Sequence, residues 1–170
     1  FTLELTATQA ADLSAAALSG DVGVTVEARV PVAPSSLRSH PAVTLGRATL
    51  AQPIASDRIV EVNLTATFAE GAPDGCYDLV EVVPSGLAPL DVGWGATDDR
   101  GITWPWSVSG QEVRFCAGND PATGRVAKLR YLARVVNEGW FTWEPAILQL
   151  ASAPELMAVT PAWTARIGTP

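Results

Sequence analysis

Alternation at period two constrains this chain more than any other feature. Val22, Val24 and Val26 alternate with Gly23, Thr25 and Glu27, and Val60, Val62 and Leu64 recur in the same way between Ile59 and Thr67. Leu3 and Leu5 share a face of Thr2 to Thr6, and Tyr77 to Val83, Glu112 to Cys116 and Val126 to Val136 extend the series. Successive side chains of a strand point to opposite faces, so each segment buries one face and wets the other. The runs are rich in Val and Thr and are bounded by Gly, Pro, Asp or Asn. Thirteen prolines and fourteen glycines punctuate them, as many short antiparallel strands require. The fold class expected is all-β: an antiparallel sandwich with long loops and at most one short helix.

Gln9 to Leu18 is the one helical candidate. It is Ala-rich and could turn twice with Leu13 and Leu18 inward, or it could be a polar connection between strands. Val30 to His40 and Asp91 to Ser109 read as long loops, the second rich in glycine and tryptophan and of the kind that carries function on a rigid scaffold. Tyr131 to Ala146 reads as a hairpin. Tyr131, Ala133 and Val135 line one strand, Gly139 turns, and Trp140, Phe141 and Trp143 supply packing mass before Pro145 stops the second strand. Leu79, Val82, Leu129, Tyr131, Ala133, Val135, Phe141 and Ile147 are expected in the core, and Trp140, Trp143 and Trp163 in the core or an interface.

At 170 residues the chain can build one real core, burying roughly 70% of its unfolded surface. Nothing inside it resembles a linker, so residues 1–170 are expected to form a single domain. It starts at Phe1 without a leader, and is expected to be a piece of a longer chain. No apolar run approaches the ~20 residues that span a bilayer. Eleven basic against eighteen acidic residues give a net charge of −7, which disfavours nucleic acid as a partner, because that affinity rests on Lys and Arg. Cys76 and Cys116 each sit beside an aromatic residue. A disulfide between them is expected, which would constrain the unfolded state by roughly 4 kcal/mol and would imply an oxidising compartment. The alternative is two separate buried thiols acting as small hydrophobes.

Catalytic chemistry is hard to find. The single histidine, His40, lies between Ser39 and Pro41, where it would cap a turn in solvent rather than serve a triad or a zinc ion. There is no nucleophile elbow, phosphate-binding loop or His-Glu-x-x-His motif. The chain is expected not to be an enzyme, to need no cofactor and to hold no metal. Asp98-Asp99-Arg-Gly101 and Gly118-Asn-Asp-Pro121 could ligate Ca²⁺ if they converged, but such residues also simply make turns. Asn63-Leu-Thr65 matches a glycosylation acceptor within a strand, as a chance match would. Trp94, Trp104 and Trp106 fall in the long loop, either as an exposed platform for sugars or a contact patch, or folded back over a sheet end.

Several elements in order carry a resemblance. They are Val83-Pro-Ser-Gly-Leu87, then Tyr131-Leu-Ala-Arg-Val135, a Gly turn, an aromatic strand ending at Pro145-Ala146, then Pro154-Glu155 and a strand from Thr164 to Ile167. Together they resemble the C-terminal macroglobulin-like domain of bacterial α2-macroglobulins, over most of residues 57–167. The resemblance implies a macroglobulin-like β-sandwich within a broad-spectrum protease inhibitor that is periplasmic, cell-surface anchored or secreted. It also implies a domain that packs against and shields a thioester-type domain, and that takes part in the conformational change on trapping. Its partners would be neighbouring domains of the same chain and, indirectly, target proteases. This chain has no Cys-x-x-Gln motif, so it cannot itself capture a protease. Where many members place a Met-Tyr pair that helps to lock the thioester, it has Ala151 and Ser152. Two rival functions are a carbohydrate-binding module using Trp94, Trp104 and Trp106, and a cell-surface adhesion domain.

Overall fold

The computed structural model describes residues 37–168, apart from 57, 93 and 94. The strands expected at Thr2 to Thr6 and at Val22 to Val26, the helical candidate at Gln9 to Leu18, and Trp94 all lie outside the described residues. Twelve strands are described: β1 (Val43–Arg47), β2 (Ile59–Phe68), β3 (Gly75–Val82), β4 (Leu87–Pro89), β5 (Ile102–Thr103), β6 (Ser107–Ser109), β7 (Glu112–Asn119), β8 (Val126–Val135), β9 (Gly139–Trp143), β10 (Ile147–Leu150), β11 (Ala153–Val159) and β12 (Trp163–Ile167). The only helical element among the described residues is one 3₁₀ turn at Pro121–Thr123.

The described residues form three sheets. One runs β1-β2-β8-β4, all antiparallel, with the short β5 lying parallel to β8. A second runs β11-β10-β3-β7-β6, and β9 pairs with β12 as a two-stranded ribbon. Alternation sets the inner faces. β2 buries Val60, Val62, Leu64, Ala66 and Phe68 and turns Ile59 and Glu61 outward. Strand β8 buries Ala127, Leu129, Tyr131 and Ala133 in the same phase. From the second sheet β7 contributes Val113, Phe115 and Ala117. Ring contacts between Phe68 and Tyr77, with centroids 4.7 Å apart, and between Phe115 and Tyr131 at 6.4 Å tie the two inner faces together. Leu129 is 1% exposed, so truncating it to Ala should cost ~2–5 kcal/mol.

Four expectations need correcting. Val82 is 41% exposed. It lies out of phase with Leu79, and the inward set of β3 is Tyr77, Leu79 and Glu81. Ile147 is only half-buried and stands outside the core, whereas Val135 and Phe141, also half-buried, pack against it as expected. Trp140 is 70% exposed, while Trp143 is fully buried; three positions apart on a strand, they face opposite sides. The hairpin from Tyr131 to Ala146 does not form, because β9 leaves β8 at Gly139 and pairs with β12 instead.

The Pro-Ser-Gly-Leu corner exists because the ribbon lands on it. Leu87 N–H closes the turn on the Pro84 carbonyl. At Gly86 a Cβ would lie 2.5 Å from the Phe141 ring and 2.6 Å from Ile167. Gln111 fixes the same corner by donating to the carbonyls of Val83, Pro84 and Leu87.

Candidate functional site

The most chemically unusual place in the fold is where β1, β3, β8 and β9 meet. Glu81 continues the apolar face of β3 and is wholly buried. Its Oε2 accepts from Arg47 Nη2 at 2.8 Å, and its Oε1 accepts from Tyr131 O–H at 3.1 Å and Trp143 Nε1–H at 2.7 Å. Arg47 ends β1, lies over the Trp143 ring at 5.1 Å, and also donates to the Glu144 carbonyl. Trp163 of β12 stacks on Trp143 with centroids 5.3 Å apart. One carboxylate thus gathers donors from the first sheet and from the ribbon onto a strand of the second. Burial pushes the Glu81 carboxyl above its ordinary pKa, with the Arg47 charge opposing that rise. Burial also pushes the Tyr131 phenol well up, and the neighbouring Glu81 charge adds to the rise. A buried ion pair of this kind fixes geometry more surely than it adds stability.

Sequence reasoning missed this cluster. Its signal was present: Tyr77, Leu79, Glu81 and Val83 share one phase, so Glu81 is a carboxylate on the apolar face. Arg47 gave no comparable signal, since it stands at a strand end.

The loop tryptophans form a separate region. Trp104 is half-buried, and its Nε1–H reaches Asp98 Oδ2 at 3.4 Å. Asp98 also accepts the backbone N–H groups of Arg100 and Ile102 and the Arg100 guanidinium, so it closes its own turn. The hydrogen bond from Ile102, foremost, holds the Asp98 carboxyl below its ordinary pKa. Trp106 is 52% exposed and rests against Gly95, where a Cβ would come within 2.7 Å of its own Cβ. No group of three or more potential metal ligands converges among the described residues. Asn119 is buried and donates to the carbonyls of Ala72 and Pro73, and Asp120 Oδ1 caps the 3₁₀ turn.

Ala151 and Ser152 are exposed in the tight turn joining β10 to β11. That turn lies at one edge of the second sheet, whereas Trp106 lies beside β6 at the other. These predicted surface residues therefore do not form one site. Cys76 and Cys116 lie diagonally across the β3–β7 pair, with Cα atoms 5.3 Å apart, and are joined as a disulfide. His40 caps a turn, its Nδ1 accepting from Ala42 N–H.

Native α2-macroglobulin from Escherichia coli, in a crystal structure spanning domain MG7 to the C-terminus, matches 78% of this chain with a TM-score of 0.58 and 16% identity. The chain has the fold of the C-terminal region of bacterial α2-macroglobulins. Native Escherichia coli α2-macroglobulin seen by cryo-EM matches 87% of it (TM-score 0.59, 16% identity), and the same protein activated by porcine elastase matches 77% (TM-score 0.59, 14% identity). This chain spans only 25%, 10% and 13% of those three structures, in the order given. No family model and no curated protein matches the sequence. No helix among the described residues is long and apolar enough to cross a membrane.

Proposed function

We propose that this chain is a non-catalytic domain, residues 1–170 acting as one unit, of an α2-macroglobulin-like protease inhibitor. In this reading it packs against a thioester-type domain, shields it from water and is carried through the rearrangement that traps a protease. The observation that carries the reading is the likeness to bacterial α2-macroglobulin over most of the chain. Native and elastase-activated α2-macroglobulin both resemble this chain, which supports a domain of this fold in either form of such an inhibitor. The buried junction at Glu81 would keep that domain rigid. The Cys76–Cys116 disulfide supports an extracytoplasmic setting, periplasmic, surface-anchored or secreted, because such bonds persist where the medium oxidises. Ala151 and Ser152 carry no aromatic ring toward a neighbour, so the shielding would be steric, without a tyrosine lock.

The test is a deletion. Removing residues 37–168 from the protein that carries this chain should abolish retention of elastase and raise the reactivity of any thioester toward methylamine. Undiminished retention would overturn the proposal. The carbohydrate-binding rival has weaker support, since Trp104 is tied to Asp98. A saturable quench of tryptophan fluorescence by a soluble polysaccharide would revive it.

A further inference from the structure

Arg47 carries more donors than its surroundings use. A guanidinium offers five N–H groups, and here only Nη2 is engaged, by Glu81 and the Glu144 carbonyl. Nε and Nη1, which carry three of those five, are buried without an acceptor among the described residues. The whole side chain is 4% exposed. Native proteins leave few buried polar groups unpaired, and each such group calls for an explanation. Arg47 also lines a cavity of about 200 Å³, walled otherwise by Ala48, Thr49, Pro161 and Trp163. Water occupies roughly 30 Å³ per molecule, so this space has room for a small organic acid.

We propose that the cavity is a carboxylate-binding site, in which Arg47 receives one carboxylate carried on a short apolar stem. The flat guanidinium matches a carboxylate in shape and charge, and Pro161 and Trp163 offer apolar surface to the methylene groups behind it. A doubly charged phosphate would crowd Glu81, which already sits on the same cation. Trp163 is the movable wall. It is half-buried, it stacks on Trp143, and its indole N–H makes no hydrogen bond among the described residues. Nε and Nη1 show almost no open surface in the closed form, so a ligand reaches them when Trp163 swings aside. This site stands whether or not the chain serves as an interdomain shield.

Binding should be linked to a proton. Arg47 from β1, Tyr131 from β8 and Trp143 from β9 face Glu81, and a second carboxylate on Arg47 would make its ionised form less favourable still. Occupation and protonation of Glu81 therefore favour each other, and while the ligand stays ionised binding tightens as pH falls through the Glu81 range, by at most about tenfold per pH unit.

The carboxylate could belong to a free acid or to a Glu or Asp side chain of a protein segment. Both are tested on the ¹⁵N-labelled 170-residue chain by following the Arg47 Nε–H resonance during titration with propionate, with N-acetylglutamate amide, and with chloride as control. A saturable shift by either acid, absent with chloride and accompanied by a change in tryptophan fluorescence, is expected. Tighter binding of propionate assigns the site to free acids. Binding of the capped glutamate at least tenfold tighter assigns it to a protein partner. Thr49 is exposed at the rim, so Thr49→Tyr should block the mouth and weaken binding at least tenfold without disturbing the fold. An unmoved resonance, a drift matching that in chloride, or unaltered binding in Thr49→Tyr would overturn the proposal.

Discussion

At the junction of the sheets Glu81 is wholly buried and accepts from Arg47, Tyr131 and Trp143. In the long loop Asp98 accepts from Arg100, Ile102 and Trp104 beside open water. Each carboxylate thus collects an arginine and a tryptophan, yet their ionisation is pushed in opposite directions. Around Glu81 the loss of water outweighs the attraction of Arg47, and the carboxyl pKa rises. Around Asp98 water remains, the backbone hydrogen bond from Ile102 dominates, and the pKa falls. The same partners therefore make a structural pin in one place and a turn cap in the other, and desolvation decides which.

The largest expected effect comes from removing the pin. Glu81→Ala removes the acceptor of Arg47, Tyr131 and Trp143 at once and leaves Arg47 unpaired in the interior, a change worth roughly 3–5 kcal/mol in comparable buried pairs. Urea unfolding of the variant and the parent measures it. A loss under ~1 kcal/mol would make the pair no stronger than a surface bridge and would erase the contrast with Asp98. The pH dependence carries the same test. Because the folded-state pKa of Glu81 lies above its unfolded value, the folded protein holds that proton more tightly. The group therefore adds stability as pH falls through the raised value, and that stability is lost again as pH rises through it. Glu81→Gln should flatten that part of the stability profile.

Gly86→Ala probes the landing of the ribbon beside that pin. The new methyl would press on Phe141 and Ile167, and overpacking of this kind costs about 1–3 kcal/mol. The thermal midpoint should fall, and the Trp143 environment should shift with it, because β9 must move to make room. A parent-like midpoint would show that the half-buried Phe141 yields without cost, and that the corner is less rigid than the Glu81 junction.

How much of this was legible in the sequence depends on which physical signal each element carried. Strands β2, β7 and β8 were readable because their alternation is long and one face of each is fully buried. The corner at Val83 to Leu87 and the closing strand were readable from motif order. The partner of β9 was not, since Gly139 is as compatible with a change of sheet as with a hairpin, and only packing on Gly86 selects the former. Val82 was misplaced by its apolar character, although phase put Glu81 inward instead. The junction needed two residues 34 positions apart in sequence to meet, a pairing that periodicity along one strand cannot express. The disulfide was expected over two separate thiols, and the adjacency of β3 and β7 brings the sulfurs together.

Asp98→Asn should have a smaller effect. Its pKa lies below the ordinary carboxylate value, so whatever it contributes is present above the unfolded pKa and is lost as pH falls through the folded one, opposite in sign to Glu81. Asparagine keeps an acceptor for the Arg100 and Ile102 N–H groups but loses the charge. The thermal midpoint should scarcely change at neutral pH, and amide exchange should quicken at Ile102 alone. Faster exchange across β8 would mean that the loop is coupled to the sandwich after all.

The smallest effect on stability is expected at Trp106, and it sharpens the comparison most. Its ring is more than half exposed, and its backbone N–H pairs with the Arg114 carbonyl whatever side chain it bears. Trp106→Ala should therefore leave the unfolding midpoint unchanged within about 0.5 kcal/mol, the usual range for surface substitutions. Trp143→Ala, by contrast, should cost ~3–5 kcal/mol as a buried tryptophan truncation and would leave Glu81 without one of its donors. If Trp106→Ala proved comparably costly, the loop would be part of the core in all but exposure. If it cost nothing, and neither the parent nor the variant bound soluble polysaccharides, the exposed ring would be left free for contact with another protein surface, in keeping with the role proposed above.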